Sequence, residues 1–262
     1  MLKFASICPH PPLLIPSIGK NYFTQIKSTV HAMNELGNQI RKKNIDTIII
    51  ISPHGPVQMD AMSINSTKYL QGNFSQFDDN TSMKIENDIN LGTSIKRLAD
   101  LKGIPTELIG NDTPLDHGAM VPLFFLRKYM PKVKIVSITF SCLDYKNHFE
   151  FGEVIYEIAE STERKIALVA SGDLSHRLTP DAPVKYSPEG KKFDKLLINL
   201  LKNNKVDEIL SLDSDFVEKA GECGLRSIII LLGALSSLDY SFEKLSYEGP
   251  FGVGYLVGKF EF

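Results

Sequence analysis

The sequence has few of the features that mark secreted, membrane-spanning or nucleic-acid-binding proteins. Its three cysteines, Cys8, Cys142 and Cys223, are an odd and widely spaced set, which excludes a disulfide framework and a CxxC zinc motif. Its longest apolar runs, such as residues 228–232, are too short to span a bilayer. The formal net charge is only -2, so no bulk attraction to nucleic acid or anionic lipid is expected. We therefore expect a cytoplasmic protein without nucleic-acid or membrane partners, either a monomer or a homo-oligomer.

A nucleotide-binding glycine loop and internal repeats are also absent from the sequence. Gly252-Val253-Gly254 lacks the third glycine and the following helix of a dinucleotide fingerprint. The chain has 262 residues, no low-complexity linker, and segments typical of strands and helices that alternate throughout. This pattern predicts a single α/β domain over residues 1–262. We expect a mostly parallel central sheet with helices on both faces and an antiparallel C-terminal edge.

Two histidines follow predicted strands on turns that are stiffened by proline. Residues 47–51 form a β-branched run typical of a buried parallel strand, and Pro53-His54 comes just after it. Residues 2–7 predict another strand, which Pro9-His10 follows in the same way. Ligands of open α/β sheets bind beyond the carboxyl ends of the strands. The two imidazoles therefore indicate a pair of metal ligands; the alternative is that each histidine merely caps its strand.

Two further histidines stand beside the ends of predicted elements. His117 follows Asp116, which can cap an apolar helix, and the helix dipole would keep this imidazole neutral. His176 ends the motif Ser-Gly-Asp-Leu-Ser-His, which follows the most convincing central strand. In that motif Gly172 would let the backbone approach a ligand closely, and Asp173 is placed to orient a neighbour. Each histidine also has a structural alternative, since most histidines serve packing or hydrogen bonding.

A carboxylate and a thiol stand together before the last predicted helix. Glu222 and Cys223 lie on the N-terminal side of an apolar helix predicted over 227–237, where an anionic group is favoured. Glu222 is either a metal ligand or simply a carboxylate at a helix start. Two histidines and one carboxylate with open positions form the facial triad of non-haem ferrous oxygenases. The remaining two histidines would then act in acid/base chemistry and hydrogen bonding.

Taken together, these motifs resemble one protein family, the class III extradiol ring-cleavage dioxygenases of the LigB type, with their Memo-like relatives of the AmmeMemoRadiSam group. The resemblance covers nearly the whole chain, and the motifs are specific as an ordered set. They are Cys8-Pro9-His10-Pro11-Pro12, Ser52-Pro53-His54-Gly55, Leu115-Asp116-His117-Gly118, Gly172-Asp173-Leu174-Ser175-His176 and Gly221-Glu222-Cys223-Gly224.

The resemblance implies a role for each of five residues. It implies that His10, His54 and Glu222 hold Fe(II), that His176 is the catalytic acid/base, and that His117 contacts substrate or dioxygen. The implied reaction is the opening of a catechol-type ring by O2, so the implied partners are small molecules.

One departure from the family pattern keeps other functions open. Cys223 lies beside Glu222, and Memo-like relatives use a cysteine around this point. One alternative is therefore a Memo-like protein that binds a metal or a peptide without ring cleavage. Another is a zinc hydrolase that keeps His10 and His54 as ligands, so zinc or another divalent metal is an alternative to iron.

Several local expectations concern the surroundings of these motifs. Residues 69–79, rich in polar residues, predict a loop over the site, and residues 177–187 predict a second loop. His148 is expected on the surface, just before a helix over 149–161. Another helix is expected over 86–101, and a strand that leads into Gly110-Asn111-Asp112 is expected after it.

Overall fold

The structure, a computed structural model, describes residues 1–110 and 113–262. Its strands, in chain order, are β1 (Leu2–Cys8), β2 (Thr47–Ser52), β3 (Met62–Asn65), β4 (Tyr69–Asn73), β5 (Ser82–Glu86), β6 (Thr106–Ile109), β7 (Lys134–Thr139), β8 (Ile166–Ser171), β9 (Ser241–Glu248) and β10 (Tyr255–Glu261). Eight of the described strands form one sheet in the order β6-β3-β7-β2-β8-β1-β10-β9, and β4 and β5 form a separate antiparallel pair.

The centre of the sheet is parallel and its flanks are mixed. Strands β7, β2, β8 and β1 are parallel neighbours. Strand β10 runs antiparallel to β1, and β9 antiparallel to β10, which gives the expected C-terminal edge. At the opposite flank β3 is antiparallel to β7 and parallel to the edge strand β6. The predicted α/β class with a mostly parallel sheet and an antiparallel edge is confirmed.

Helices cover both faces of the sheet. They are α1 (Pro16–Gly19), α2 (Lys27–Lys42), α3 (Ile89–Leu101), α4 (His117–Leu126), α5 (Tyr145–Glu160), α6 (Pro188–Lys202), α7 (Val206–Leu210), α8 (Ser214–Ala220) and α9 (Leu225–Leu235). Helices α3, α5, α6 and α9 bury their apolar sides in one core, and α2 and α4 in the other. No helix in the described ranges is long and apolar enough to cross a membrane.

Strand β2 shows how the sequence encodes this layering. Its isoleucines are fully buried, and successive side chains point to opposite faces of a strand. Accordingly Ile49 and Ile51 lie in the core under α5 and α9, and Ile48 and Ile50 in the core under α2 and α4. A strand covered on both faces needs a continuous apolar run, which is the pattern that predicted it.

The polar stretch over residues 69–79 is not the loop that its composition predicted. Residues 69–73 form β4, which pairs with β5, and a short 3-10 turn follows at Ser75–Phe77. Leu70 and Phe74 are fully buried, and the residues between them are alternately exposed and buried, as in a strand. The many polar residues hid this two-residue period in the sequence. The expectation that this stretch covers the site holds, because Phe77 lies against His117.

Three other local predictions were wrong or fall outside the described residues. The α5 helix begins at Tyr145, because Asp144 caps it, and His148 is therefore fully buried inside the helix instead of on the surface. The helix expected from Glu86 begins only at Ile89, after the Asp88 cap. The predicted turn at residues 111 and 112 lies outside the described residues.

Gly172 makes a close approach, but its neighbour is the protein's own backbone. A Cβ atom at Gly172 would lie 2.1 Å from the Cα of Gly224, at the start of α9. We expect Gly172→Ala to lower the free energy of unfolding by about 1–3 kcal/mol, the typical cost of overpacking. Urea unfolding measures this. Gly110→Ala is the control, because a Cβ there meets nothing within 4 Å, and equal losses in both variants would contradict the account.

Candidate metal centre

The central strands deliver two histidines to one edge of the sheet. Strands β2, β8 and β1 are adjacent and parallel, so their carboxyl ends lie side by side. His10 and His54 each follow the last residue of a strand by two positions. Their Nε2 atoms are 2.9 Å apart, and their rings meet edge to face. The structure thus brings together the two Pro-His turns, as their sequence positions predicted.

The tautomer of His10 is fixed by its hydrogen bonds. The Ser171 hydroxyl donates to the backbone carbonyl of Gly118, so its oxygen is left to accept from His10 Nδ1–H at 3.0 Å. A neutral imidazole that carries its proton on Nδ1 has a lone pair on Nε2. This lone pair is directed at His54. Metal-ligating histidines are commonly oriented by such a hydrogen bond from their second nitrogen.

Burial keeps both imidazoles neutral. It lowers the pKa of His10 well below the ordinary value, and the neighbouring His54, His117 and His176 lower that pKa further. Burial likewise lowers the pKa of His54 to about 4, against an opposing effect of Asp116. Two neutral imidazoles with Nε2 atoms at 2.9 Å must share either a proton or a cation between them.

Cys223 completes a group of three ligand atoms. Its Sγ lies 3.7 Å from His10 Nε2, and the ligand atoms of His10, His54 and Cys223 all lie within 4.8 Å of one another. Two hydrogen bonds join the loop that carries the thiol to Asp173. The backbone N–H of Asp173 donates to Cys223 Sγ at 3.3 Å, and the Asp173 carbonyl accepts the Cys223 N–H. Burial, with Asp173 and Glu222 nearby, raises the pKa of the thiol well above its ordinary value.

The donor set fits a divalent transition metal. Nitrogen and sulfur ligands bind zinc-like ions at about 2.0–2.3 Å, which separates neighbouring ligand atoms by roughly 3–4 Å. His10 Nε2 lies 2.9 Å from His54 Nε2 and 3.7 Å from Cys223 Sγ, which agrees with that range. A bound cation would also deprotonate the thiol, whatever its pKa in the free site.

Glu222 lies elsewhere in the same loop. Its carboxylate accepts the N–H of Leu225 at the start of α9, which is the helix-start alternative weighed for it. Burial raises the pKa of Glu222 to about 7, and this hydrogen bond partly opposes the shift. Its assignment as a metal ligand stays a prediction.

His117 packs onto the metal-site histidines. As the first residue of α4, it follows Asp116, which accepts the N–H of Ala119 as the helix cap. Its ring stacks on that of His54 with centroids 4.4 Å apart and meets His10 edge to face at 5.5 Å. Burial lowers the pKa of His117, so a neutral imidazole stands beside the ligand atoms.

His176 presents one nitrogen as a base. Its backbone N–H and its Nδ1–H both donate to the Gly221 carbonyl, each at 2.9 Å. The neutral ring therefore carries its lone pair on Nε2. Burial lowers the pKa of His176 below the ordinary value of 6.5, so the base form dominates at neutral pH.

Asp173 orients His10, as its place in the motif predicted. Its carboxylate is buried and accepts the backbone N–H of His10 at 2.9 Å, while its other oxygen lies 3.9 Å from His10 Nε2. Burial raises the pKa of Asp173 to about 7, and the same hydrogen bond opposes this shift. Sequence reasoning missed Ser171 as the partner of His10; its signal is a small polar residue at the end of the central strand.

We expect Ser171→Ala to weaken metal binding by about 10–100-fold, the usual effect of removing the partner that orients a metal-binding histidine. Without the hydroxyl, His10 loses the acceptor that keeps its proton on Nδ1. Competitive titration against a chelator measures the affinity. Ser6→Ala is the matched control, since Ser6 is also a fully buried strand serine but contacts Cys8. Unchanged affinity in Ser171→Ala would show that Ser171 does not orient His10.

Comparisons with known proteins point to one family. The family model described as the catalytic LigB subunit of aromatic ring-opening dioxygenase matches residues 4–258. The chain is 39% identical to protein CA_C1420 of Clostridium acetobutylicum over 97% of its own length and 56% of that protein. It is 24% identical to 3,4-dihydroxyphenylacetate 2,3-dioxygenase of Escherichia coli, over 94% of this chain and 98% of the enzyme.

Other relatives match in part or in fold alone. A MEMO1 family protein of Methanococcus vannielii is 29% identical over 50% of this chain and 44% of its own length. The chain thus spans about half the length of the Clostridium and Methanococcus proteins. The crystal structure of the uncharacterized protein JW3007 from Escherichia coli K12 matches with a TM-score of 0.67 and 16% identity, over 98% of each chain.

Proposed function

Because the chain belongs to the LigB family of catalytic subunits of aromatic ring-opening dioxygenases, we propose that it is a non-haem Fe(II)-dependent extradiol dioxygenase. Residues 1–262 would act as one catalytic domain that cleaves a catechol-type ring with O2. The observation that carries the proposal is the convergence of His10, His54 and Cys223, with His117 beside them. Both oxygen atoms of O2 enter the ring-opened product, so the reaction needs no external reductant.

In this proposal His10 and His54 hold the metal through their Nε2 atoms. We place Cys223 and not Glu222 as the third ligand, because Sγ lies with the two nitrogens while the Glu222 carboxylate accepts a helix N–H. When bound, Fe(II) would lower the pKa of the catechol hydroxyls and relay electrons between the ring and dioxygen.

The remaining histidines move and hold protons. His176 Nε2 accepts a proton from one catechol hydroxyl and returns it as the ring opens, while the Gly221 carbonyl holds the ring in place through Nδ1–H. His117, stacked on His54 and shielded by Phe77, donates a hydrogen bond to the substrate or to dioxygen. Holding the two reactants together supplies much of the rate enhancement.

The test is anaerobic reconstitution with Fe(II), followed by addition of catechols and air and detection of the yellow ring-opened product. We expect turnover in the iron-loaded protein and none in the zinc-loaded protein, because zinc has no redox chemistry. An iron-loaded protein that binds catechols but never opens the ring would contradict the proposal.

Cys223 also favours a second candidate, a Memo-like metal-binding protein without ring cleavage. A thiolate is a soft ligand that suits zinc or copper(I) better than a carboxylate does, and part of the chain is similar to MEMO1 family proteins. Tight binding of copper(I) or zinc together with inactivity on every catechol would support this candidate.

The third ligand can be identified by two variants. We expect Cys223→Ser to weaken Fe(II) binding at least about 100-fold, beyond the effect of removing an orienting partner alone. Glu222→Gln should bind Fe(II) as the wild type does, because its amide oxygen still accepts the Leu225 N–H. Chelator competition measures both. The reverse result would restore Glu222 as the ligand.

A further inference from the structure

The metal centre opens into a cavity on the side of His54 and His117. This cavity has a volume of about 590 Å³ and is lined by both imidazoles. A larger cavity of about 820 Å³ lies where β2 and β7 begin, at Thr47 and Lys134, which is the opposite edge of the sheet. Of these two cavities, the smaller one is lined by the proposed ligand His54 and by His117, so the ring substituent of a metal-bound catechol would extend into it.

The described lining of this cavity contains one charged side chain and no cation. Asp116 carries the charge, and the other polar groups that line the cavity, besides the two imidazoles, are neutral: Asn73, Ser75, Gln76 and Thr113.

Hydrogen bonds fix the Asp116 carboxylate at the wall of the cavity. Its Oδ1 accepts hydrogen bonds from the Ser52 hydroxyl and from Ala119 N–H, and its Oδ2 lies beside Gly55, another lining residue. Burial lowers the pKa of both His54 and His117, and the nearby Asp116 carboxylate opposes that shift at each imidazole. A second negative charge in this half-buried cavity would meet Asp116 without a compensating cation.

We propose that this cavity selects catechols whose ring substituent ends in an ammonium or amide group and rejects those that end in a carboxylate. The inference rests on the proposed function, because it assumes that the catechol oxygens bind at the metal. An ammonium group is attracted by Asp116, and an amide can donate and accept with Asn73, Ser75 and Gln76.

Anaerobic calorimetry on the Fe(II)-loaded full chain tests the proposal, because binding is then measured without turnover. The probes are dopamine, 3,4-dihydroxyphenylacetate and the primary amide of that acid. We expect dopamine and the amide to bind at least about tenfold more tightly than the acid. Equal or tighter binding of the acid overturns the inference. If the expected order holds and air still produces no ring-opened product, only the proposed function fails; if no probe binds, both fail.

Two substitutions in the cavity and one control outside it separate the effect of the cavity charge from other effects. Gln76→Lys places a cation on an exposed lining position. We expect it to lower the ratio of dopamine affinity to acid affinity by about tenfold, which would remove or reverse the preference. Asn38→Lys, an equal charge change on an exposed position of α2, should leave the preference unchanged. Asp116→Asn keeps an oxygen for the helix cap and should also narrow the preference. An unchanged preference in both cavity variants, with melting temperatures like the wild type, overturns the inference.

Discussion

His10→Ala is expected to abolish metal binding, with at least about a 100-fold loss of affinity, because only two of the three proposed ligands remain. His10 is held at two points: Ser171 fixes its tautomer, and Asp173 accepts its backbone N–H. Metal content per chain after chelation and reloading measures the effect. The fold should survive, since removing a neutral imidazole leaves the apolar cores intact.

His31→Ala is the matched control for that experiment. His31 lies exposed on α2, so its loss changes the histidine count without touching the metal centre. The account predicts full metal content in His31→Ala and almost none in His10→Ala or His54→Ala. Full occupancy in either Pro-His variant would falsify the pair as ligands.

His176→Phe is expected to keep metal and catechol binding but to lose about 10²–10⁴-fold in kcat, the usual contribution of a positioned acid/base. Phenylalanine keeps a ring of similar shape and removes the Nε2 base. The wild-type kcat should fall as the pH drops through the pKa of His176, which burial holds below 6.5, because the imidazolium cannot accept the proton. His176→Phe should lack this acidic limb.

Loss of iron from His176→Phe would mean that His176 is itself a ligand. An unchanged acidic limb in the variant would mean that another group is the base. The two outcomes can be told apart, because the metal content of the variant is measured before its turnover.

Much of the fold and the gathering of the histidines follow from local sequence patterns. Continuous apolar runs identify strands that are buried on both faces, as in β2 and β8. Parallel strands end at the same edge, so residues that follow β1, β2 and β8 must meet wherever those strands are neighbours. This reasoning predicts that His10 and His54 meet, as they do in the structure, without any knowledge of the loops.

The positions of the Glu222 and Cys223 side chains could not be read from the sequence, because they depend on contacts between distant segments; which of the two is a ligand stays a prediction. Backbone bonds between Cys223 and Asp173 turn the thiol toward His10 and leave Glu222 at the start of α9. His148 was misplaced for a similar reason. Its two ring nitrogens lie against the carbonyls of Ser141 and Asp144, partners that offset the polar character which suggested a surface position.

The central claim is that this centre uses a bound metal to add dioxygen to a catechol. The most direct measurement is mass spectrometry of the product formed when the Fe(II)-loaded protein, prepared anaerobically, meets a catechol and isotopically labelled dioxygen. The account predicts a ring-opened product that carries both labelled oxygen atoms, and none from His10→Ala treated in the same way. A product without label, or the same yield from His10→Ala, would contradict it.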